Sequence, residues 1–83
     1  MTGKILYKSS VGRDLKHIDS ENKDRILREI RTLLSENPRV GEPLHGEFQG
    51  LYKLRIGDYR VIYALAAEDV LVLRIRHRSK AYG

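Results

Sequence analysis

Two periods divide the chain. Up to Glu36 apolar residues return every three or four positions, and from Leu51 they return every second one. Lys4 to Lys8 (KILYK) reads as a short strand. Val11, Leu15 and Ile18 then fall at helical spacing behind a Ser9 or Ser10 cap. A longer helix follows from Asp19 or Ser20. Its Ile26, Leu27, Ile30, Leu33 and Leu34 form one apolar stripe on an otherwise charged rod. Asn37-Pro38 stops it, because the residue before proline is driven out of the helical region. The segment 38–50 (PRVGEPLHGEFQG), with two Pro and three Gly, reads as an irregular connection.

From Leu51 the alternation is that of strands. Tyr52, Leu54 and Ile56 alternate with Lys53 and Arg55. Gly57-Asp58 is a two-residue hairpin signal. Beyond it Tyr59, Val61, Tyr63 and Leu65 alternate with Arg60, Ile62 and Ala64. The last strand places Leu71, Leu73 and Ile75 on one face and Val70, Val72, Arg74 and Arg76 on the other. The expected fold is α+β in the order β-α-α-β-β-β, a single domain over 1–83. Two N-terminal helices pack on one face of a small, largely antiparallel sheet.

Register sharpens the picture. A two-residue loop at Gly57-Asp58 sets Arg55 opposite Arg60. A three-residue loop at Ala67-Glu68-Asp69 keeps the apolar faces matched and sets Arg60 opposite Arg76. Three arginines then stand abreast on adjacent strands, with Lys53 and Arg74 on the same face and no acid between them. Like charges directly opposite destabilise a sheet. A single arginine in an alternating strand is ordinarily a solvated surface residue. Five cations on one face break a local rule, as sequences tend to do at functional sites.

Charge bears this out. The chain is +5 overall. Residues 1–50 hold nine basic and eight acidic groups, whereas 51–83 hold seven and three. A basic face of this kind suits a polyanion, most commonly a nucleic-acid backbone. Cysteine is absent, which removes disulfides, thiolate zinc sites and cysteine nucleophiles. The longest apolar run, Val61 to Ala67, is far short of the roughly 20 residues that span a bilayer. Met1-Thr2-Gly3-Lys4 does not open like a secretory leader. A cytoplasmic protein without membrane contact is therefore expected.

His17, His45 and His77 lack metal-ligand spacing, so no metal and no cofactor is expected. Gly46 and Gly50 precede a strand rather than a helix, so they make no phosphate loop, and Ser79 has no evident His–acid partner. Cation chemistry remains. RNA can be cut without a metal when its own 2′-hydroxyl is the nucleophile. That reaction needs a base, donors for the charge growing on the phosphate oxygens, and an acid for the leaving 5′-oxygen. Arginine suits the second task through its fork of donors. Lys53 or His77 are candidates for the base.

The run Glu42 to Tyr63 (EPLHGEFQGLYKLRIGDYRVIY) and the run Val70 to Tyr82 (VLVLRIRHRSKAY) resemble the RelE/ParE toxin superfamily. The shared pattern is "PL-x-G", then "Y-x-L-R-x-G-x-Y-R-x-x-Y", then a strand closing in "R-x-R-S-x-x-Y". The resemblance implies a type II toxin with a helical pair on an antiparallel sheet. One branch enters the ribosomal A site and cuts messenger RNA without a metal; the ParE branch is a non-enzymatic inhibitor of DNA gyrase. By position, Arg60 and Arg76 match arginines that stabilise the transition state, and Tyr82 matches a tyrosine that stacks on a substrate base. Lys53 and Arg55 fall where the cleaving branch has two lysines, in a hairpin that is two residues shorter here. Arg55 is the weaker base, and the identity of the base stays open.

Lys53, Arg55, Arg74, Arg78 and Lys80 are the expected RNA contacts. His77 has the wrong parity for the basic face unless a bulge turns it, so a structural hydrogen bond suits it better. Tyr52, Tyr59 and Tyr63 belong to the core face. The resemblance also implies a partner, an acidic RelB-like antitoxin that is partly disordered when free and joins the toxin in a heteromer.

Overall fold

The computed structural model describes residues 3–79. Strand β1 (Ile5–Tyr7) leads into helix α1 (Ser9–Leu15) and helix α2 (Ser20–Glu36). Four strands follow: β2 (Glu42–Pro43), β3 (Leu51–Ile56), β4 (Tyr59–Ala66) and β5 (Asp69–His77), with a 3-10 turn at Gly46–Phe48 between the first two. The sheet runs β1-β5-β4-β3-β2, and only the β1–β5 pair is parallel. The expected order holds with one strand added. The segment 38–50 contains β2, a two-residue edge strand whose proline is tolerated because an edge needs no N–H from it.

Helix α2 forms where its stripe demands. Ile26, Ile30 and Leu34 are fully buried. Asp19 caps it, accepting from the Asn22 backbone N–H at 3.2 Å and the Asn22 side chain at 2.7 Å. In α1 the expected serine cap is absent: Lys8 occupies the cap position without a side-chain bond. Ser10 reaches the sheet instead, its hydroxyl donating to the Leu73 carbonyl at 2.7 Å. Val11, Ile26, Ile30 and Leu34 meet Leu54, Ile56, Val61, Tyr63, Val70, Val72 and Ile75 in one core, with Tyr52 and Tyr59 packed against it. Tyr63 is buried with its hydroxyl accepting from the Gly41 N–H at 2.9 Å, and its ring stacks on Tyr52.

The β4–β5 hairpin reaches the expected arginine register by a different route. Ala66 pairs with Asp69, so the turn is Ala67-Glu68 and not three residues. Ala67 takes it with φ of +57°. The register then shifts between Ile62 and Tyr63: Tyr63 pairs with Val72 and Ile62 with Arg74, leaving Leu73 as a bulge. The bulge restores the Arg60–Arg76 pairing and also exchanges faces. Val70 and Val72 are fully buried in the core, while Leu73 turns to the open face, the reverse of the alternation expected for the first half of this strand.

Beyond Tyr7 the outer edge of β5 has no strand beside it, and α1 supplies its hydrogen bonds. Lys8 N–H donates to Val72 O, Ser10 to Leu73 O, and Ile75 N–H donates to Asp14 Oδ2 at 2.9 Å. Backbone groups that a sixth strand would have satisfied are met by a loop residue and two helix side chains.

Candidate functional site

The face of the sheet away from the core carries the cations. Arg55 pairs with Arg60 across β3 and β4, and Arg60 pairs with Arg76 across β4 and β5. Each is flanked by buried residues (Leu54 and Ile56, Val61, Ile75), so core packing fixes the strand faces that present them. Arg55 is exposed; Arg60 and Arg76 are half-buried, and Arg60 has its Nε beneath the surface. Neighbouring strands about 4.8 Å apart set the three arginines side by side in register.

The row opens into a groove of about 460 Å³. Lys53, Arg60, Arg74 and Arg76 line it together with Leu44, Phe48, Leu51, Ile62 and Leu73. Lys53 is one strand from Ile62 and two from Arg74 in register. A second hollow of about 540 Å³ lies against α1, where Arg74, Arg76 and His77 meet Arg13, Asp14 and His17.

The face is less uniformly basic than the alternation implies, because acids arrive from other elements. Asp14 of α1 holds Arg74 in a two-pronged pair, with Nε–Oδ2 and Nη2–Oδ1 both 3.0 Å. Burial by itself raises the Asp14 pKa. The bonds from Arg74 and from Ile75 N–H, with the charges of Arg74 and Arg76, more than offset it and hold the carboxyl below its ordinary value. The same bond raises the Arg74 pKa, against its slight desolvation. Glu42 of β2 stands 3.8 Å from Lys53 Nζ. Arg78, just past β5, leans on Asp58 at 4.0 Å while its N–H donates to Asp58 O at 2.7 Å.

Of the residues singled out in the sequence, Lys53, Arg60, Arg74 and Arg76 come together in the groove, and Arg55 extends the row at its end. His77 does not join them. It sits on the helix side, its ring edge-on to Tyr59, with Nδ1 accepting from Ser79 N–H at 3.2 Å and 2.9 Å from Ser79 Oγ. Lys80 and Tyr82 lie outside the described residues. The apolar wall was missed. Phe48 is 54% exposed on the segment 46–50, which is bounded by Gly46 and Gly50 at φ of +70° and +97°. The one available signal was an aromatic residue alone in a polar stretch that fits neither period. Among the described residues no three His, Cys, Asp or Glu side chains gather as a metal-ligand set, and no helix is long and apolar enough to cross a membrane.

Comparison with known proteins bears on the family and the fold. A family model described as ParE toxin of type II toxin-antitoxin system, parDE, matches residues 5–82. Toxin RelE of Mycobacterium tuberculosis is 32% identical over 81 residues, covering 94% of this chain and 84% of that protein. The structure of the toxin–antitoxin complex RelBE2 from the same organism superposes with a TM-score of 0.86 at 28% identity, over 94% of this chain and 100% of that one. An archaeal RelE–RelB complex from Pyrococcus horikoshii OT3 superposes with a TM-score of 0.72 at 27% identity, over 98% and 100% of the two chains.

Proposed function

The chain belongs to the RelE/ParE toxin superfamily of type II toxin–antitoxin systems, and from that premise we propose that it cuts messenger RNA in the ribosomal A site, in the cytoplasm, without a metal. The reading is carried by one observation: Arg60 and Arg76 are paired across β4 and β5 in a groove that also holds Lys53.

The substrate 2′-oxygen attacks the adjacent phosphorus and loses its proton. The bond to the 5′-oxygen breaks, that oxygen takes up a proton, and the products are a 2′,3′-cyclic phosphate and a 5′-hydroxyl. Arg60 and Arg76 donate to the phosphate oxygens as charge accumulates there, from positions set before the substrate arrives. Lys53 is the group in the groove placed to take the 2′-hydroxyl proton, since arginine is the poorer general base and His77 is on the other side of the sheet. Tyr82 stacks on a base and Lys80 and Arg78 follow the backbone, as the resemblance implies. Arg74 is bound to Asp14 and contributes field more than a free fork of donors.

An acidic antitoxin, partly disordered when free, is the proposed partner; the RelBE2 and RelE–RelB structures are complexes of this type. The ParE name of the matching family model favours a second reading, inhibition of DNA gyrase without catalysis. Primer extension on messages translated in a cell-free system, beside a gyrase supercoiling assay, separates the two. Cleaved messages with normal supercoiling are expected. Intact messages with blocked supercoiling would replace the first reading by the second.

A further inference from the structure

The groove has a mixed lining. The cations Lys53, Arg60, Arg74 and Arg76 share it with an apolar set that includes Leu44, Leu51 and Phe48, the last with more than half its surface in solvent. A singly exposed apolar side chain is ordinary on a protein surface; Phe48 differs from Leu6, Tyr7 and Val40 in bordering the concavity that holds the cations. Packing does not explain it, since Phe48 is not part of the core. Local backbone does not explain it either. Both flanking glycines have open space where a Cβ would go, so their positive φ, not crowding, requires glycine there. The two left-handed positions bend the segment 46–50 so that its single aromatic ring sits on the rim of the groove.

A nucleotide is the ligand with matching halves: an anionic phosphate for the arginines and a flat apolar base for the ring. The groove volume lies within the usual range for small-ligand sites, about 300–1,000 Å³. A duplex keeps its bases stacked on one another, so only a single-stranded segment presents a base to such a wall. We propose that Phe48 is a base-stacking platform that positions one nucleotide of a single-stranded RNA over the Arg60–Arg76 pair. This deepens the ribonuclease reading and rests on it. Phe48 is a positioning residue, and it acts at a point of the chain well separated from Tyr82.

The test is binding of the full-length protein to a 2′-O-methyl RNA hexamer, which cannot be cut, and to hexamers with one abasic position in turn. Phe48→Ala should weaken binding by about 5- to 150-fold, the span measured for single base–aromatic stacks, and Phe48→Trp should restore it. At one position, removing the base should weaken the parent by a similar factor and leave Phe48→Ala unchanged, because the two changes delete the same contact. Arg60→Ala with Arg76→Ala should weaken every hexamer alike. Parent-like binding by Phe48→Ala, beside weakened binding by the arginine pair, overturns the platform and leaves the RNA reading standing. Hexamer binding that is indifferent to the arginine pair overturns both. If Phe48→Ala binds RNA like the parent but loses affinity for the acidic antitoxin, the ring serves a protein partner and the proposal is wrong.

Discussion

Arg55, Arg60 and Arg76 repel one another in the free protein. Two unit charges about 5 Å apart repel by roughly 3 kcal/mol at an effective dielectric near 20, an upper figure for groups that splay into water. Measured cross-strand pairs are smaller, so removing one exposed member should stabilise the fold modestly. Arg55→Gln is expected to raise stability by about 0.2–1 kcal/mol at low salt, with the gain fading at high salt; urea melts at two ionic strengths check this. Asp14 has the opposite part. Its folded pKa is lowered below the ordinary 3.8, so its contribution is complete above that value and is lost as the pH falls through the lower folded pKa. Asp14→Asn should cost about 1–3 kcal/mol at neutral pH, since it weakens a charged bond to Arg74 and the acceptor of a part-buried N–H. It should also flatten the acid limb of the stability curve below about pH 4. Asp19, held low by its bonds from Asn22, keeps some of that slope in the variant.

At the scale of elements, β2 begins where the chain comes close against β3 and Tyr63 at Gly41. A Cβ there would lie 2.7 Å from Tyr63 Oη and 3.0 Å from Lys53 O. Gly41→Ala should therefore cost about 1–3 kcal/mol. Tyr63→Phe alone should cost about 0.5–1.5 kcal/mol for its lost hydrogen bond. The double variant should be less destabilised than the two together, because removing the hydroxyl relieves the closest contact; thermal melts of the four proteins form the cycle. These contacts also show which elements were legible in the sequence. The α2 stripe and the β3–β4 hairpin have one strong period each and a turn that admits one register, and both form as expected. β5 does not have a single period: Val70, Leu71, Val72 and Leu73 are all apolar, so alternation cannot say which of them face the core. The bulge at Leu73 lies where Ser10 and Asp14 of α1 take the strand's outer edge. That is a long-range contact no local pattern carries. The same holds for the site. Arg60 and Arg76 were legible through register, whereas the acids beside Arg74 and Lys53 come from α1 and β2, and the Phe48 wall depends on two left-handed glycines.

For the whole molecule, a net charge of +5, of which +4 lies in residues 51–83, separates affinity from catalysis. The cations that track a backbone set the salt dependence of binding, and each contact to a single strand contributes about 0.7 to the slope of log K against log salt. Lys80→Ala should thus reduce that slope by about 0.7 and leave the rate at saturation near the parent's. Arg76→Ala should do the reverse, and it bears on the central claim that the paired arginines on β4 and β5 form the catalytic centre. The direct measurement is single-turnover cleavage on programmed ribosomes at saturating protein, with dissociation constants taken in parallel. Loss of one preorganised donor predicts a fall of about 10²–10³-fold in rate, equivalent to roughly 3–4 kcal/mol, with only a modest change in affinity. Cleavage by Arg76→Ala at the parent rate would contradict the account and move the chemistry away from the Arg60–Arg76 pair.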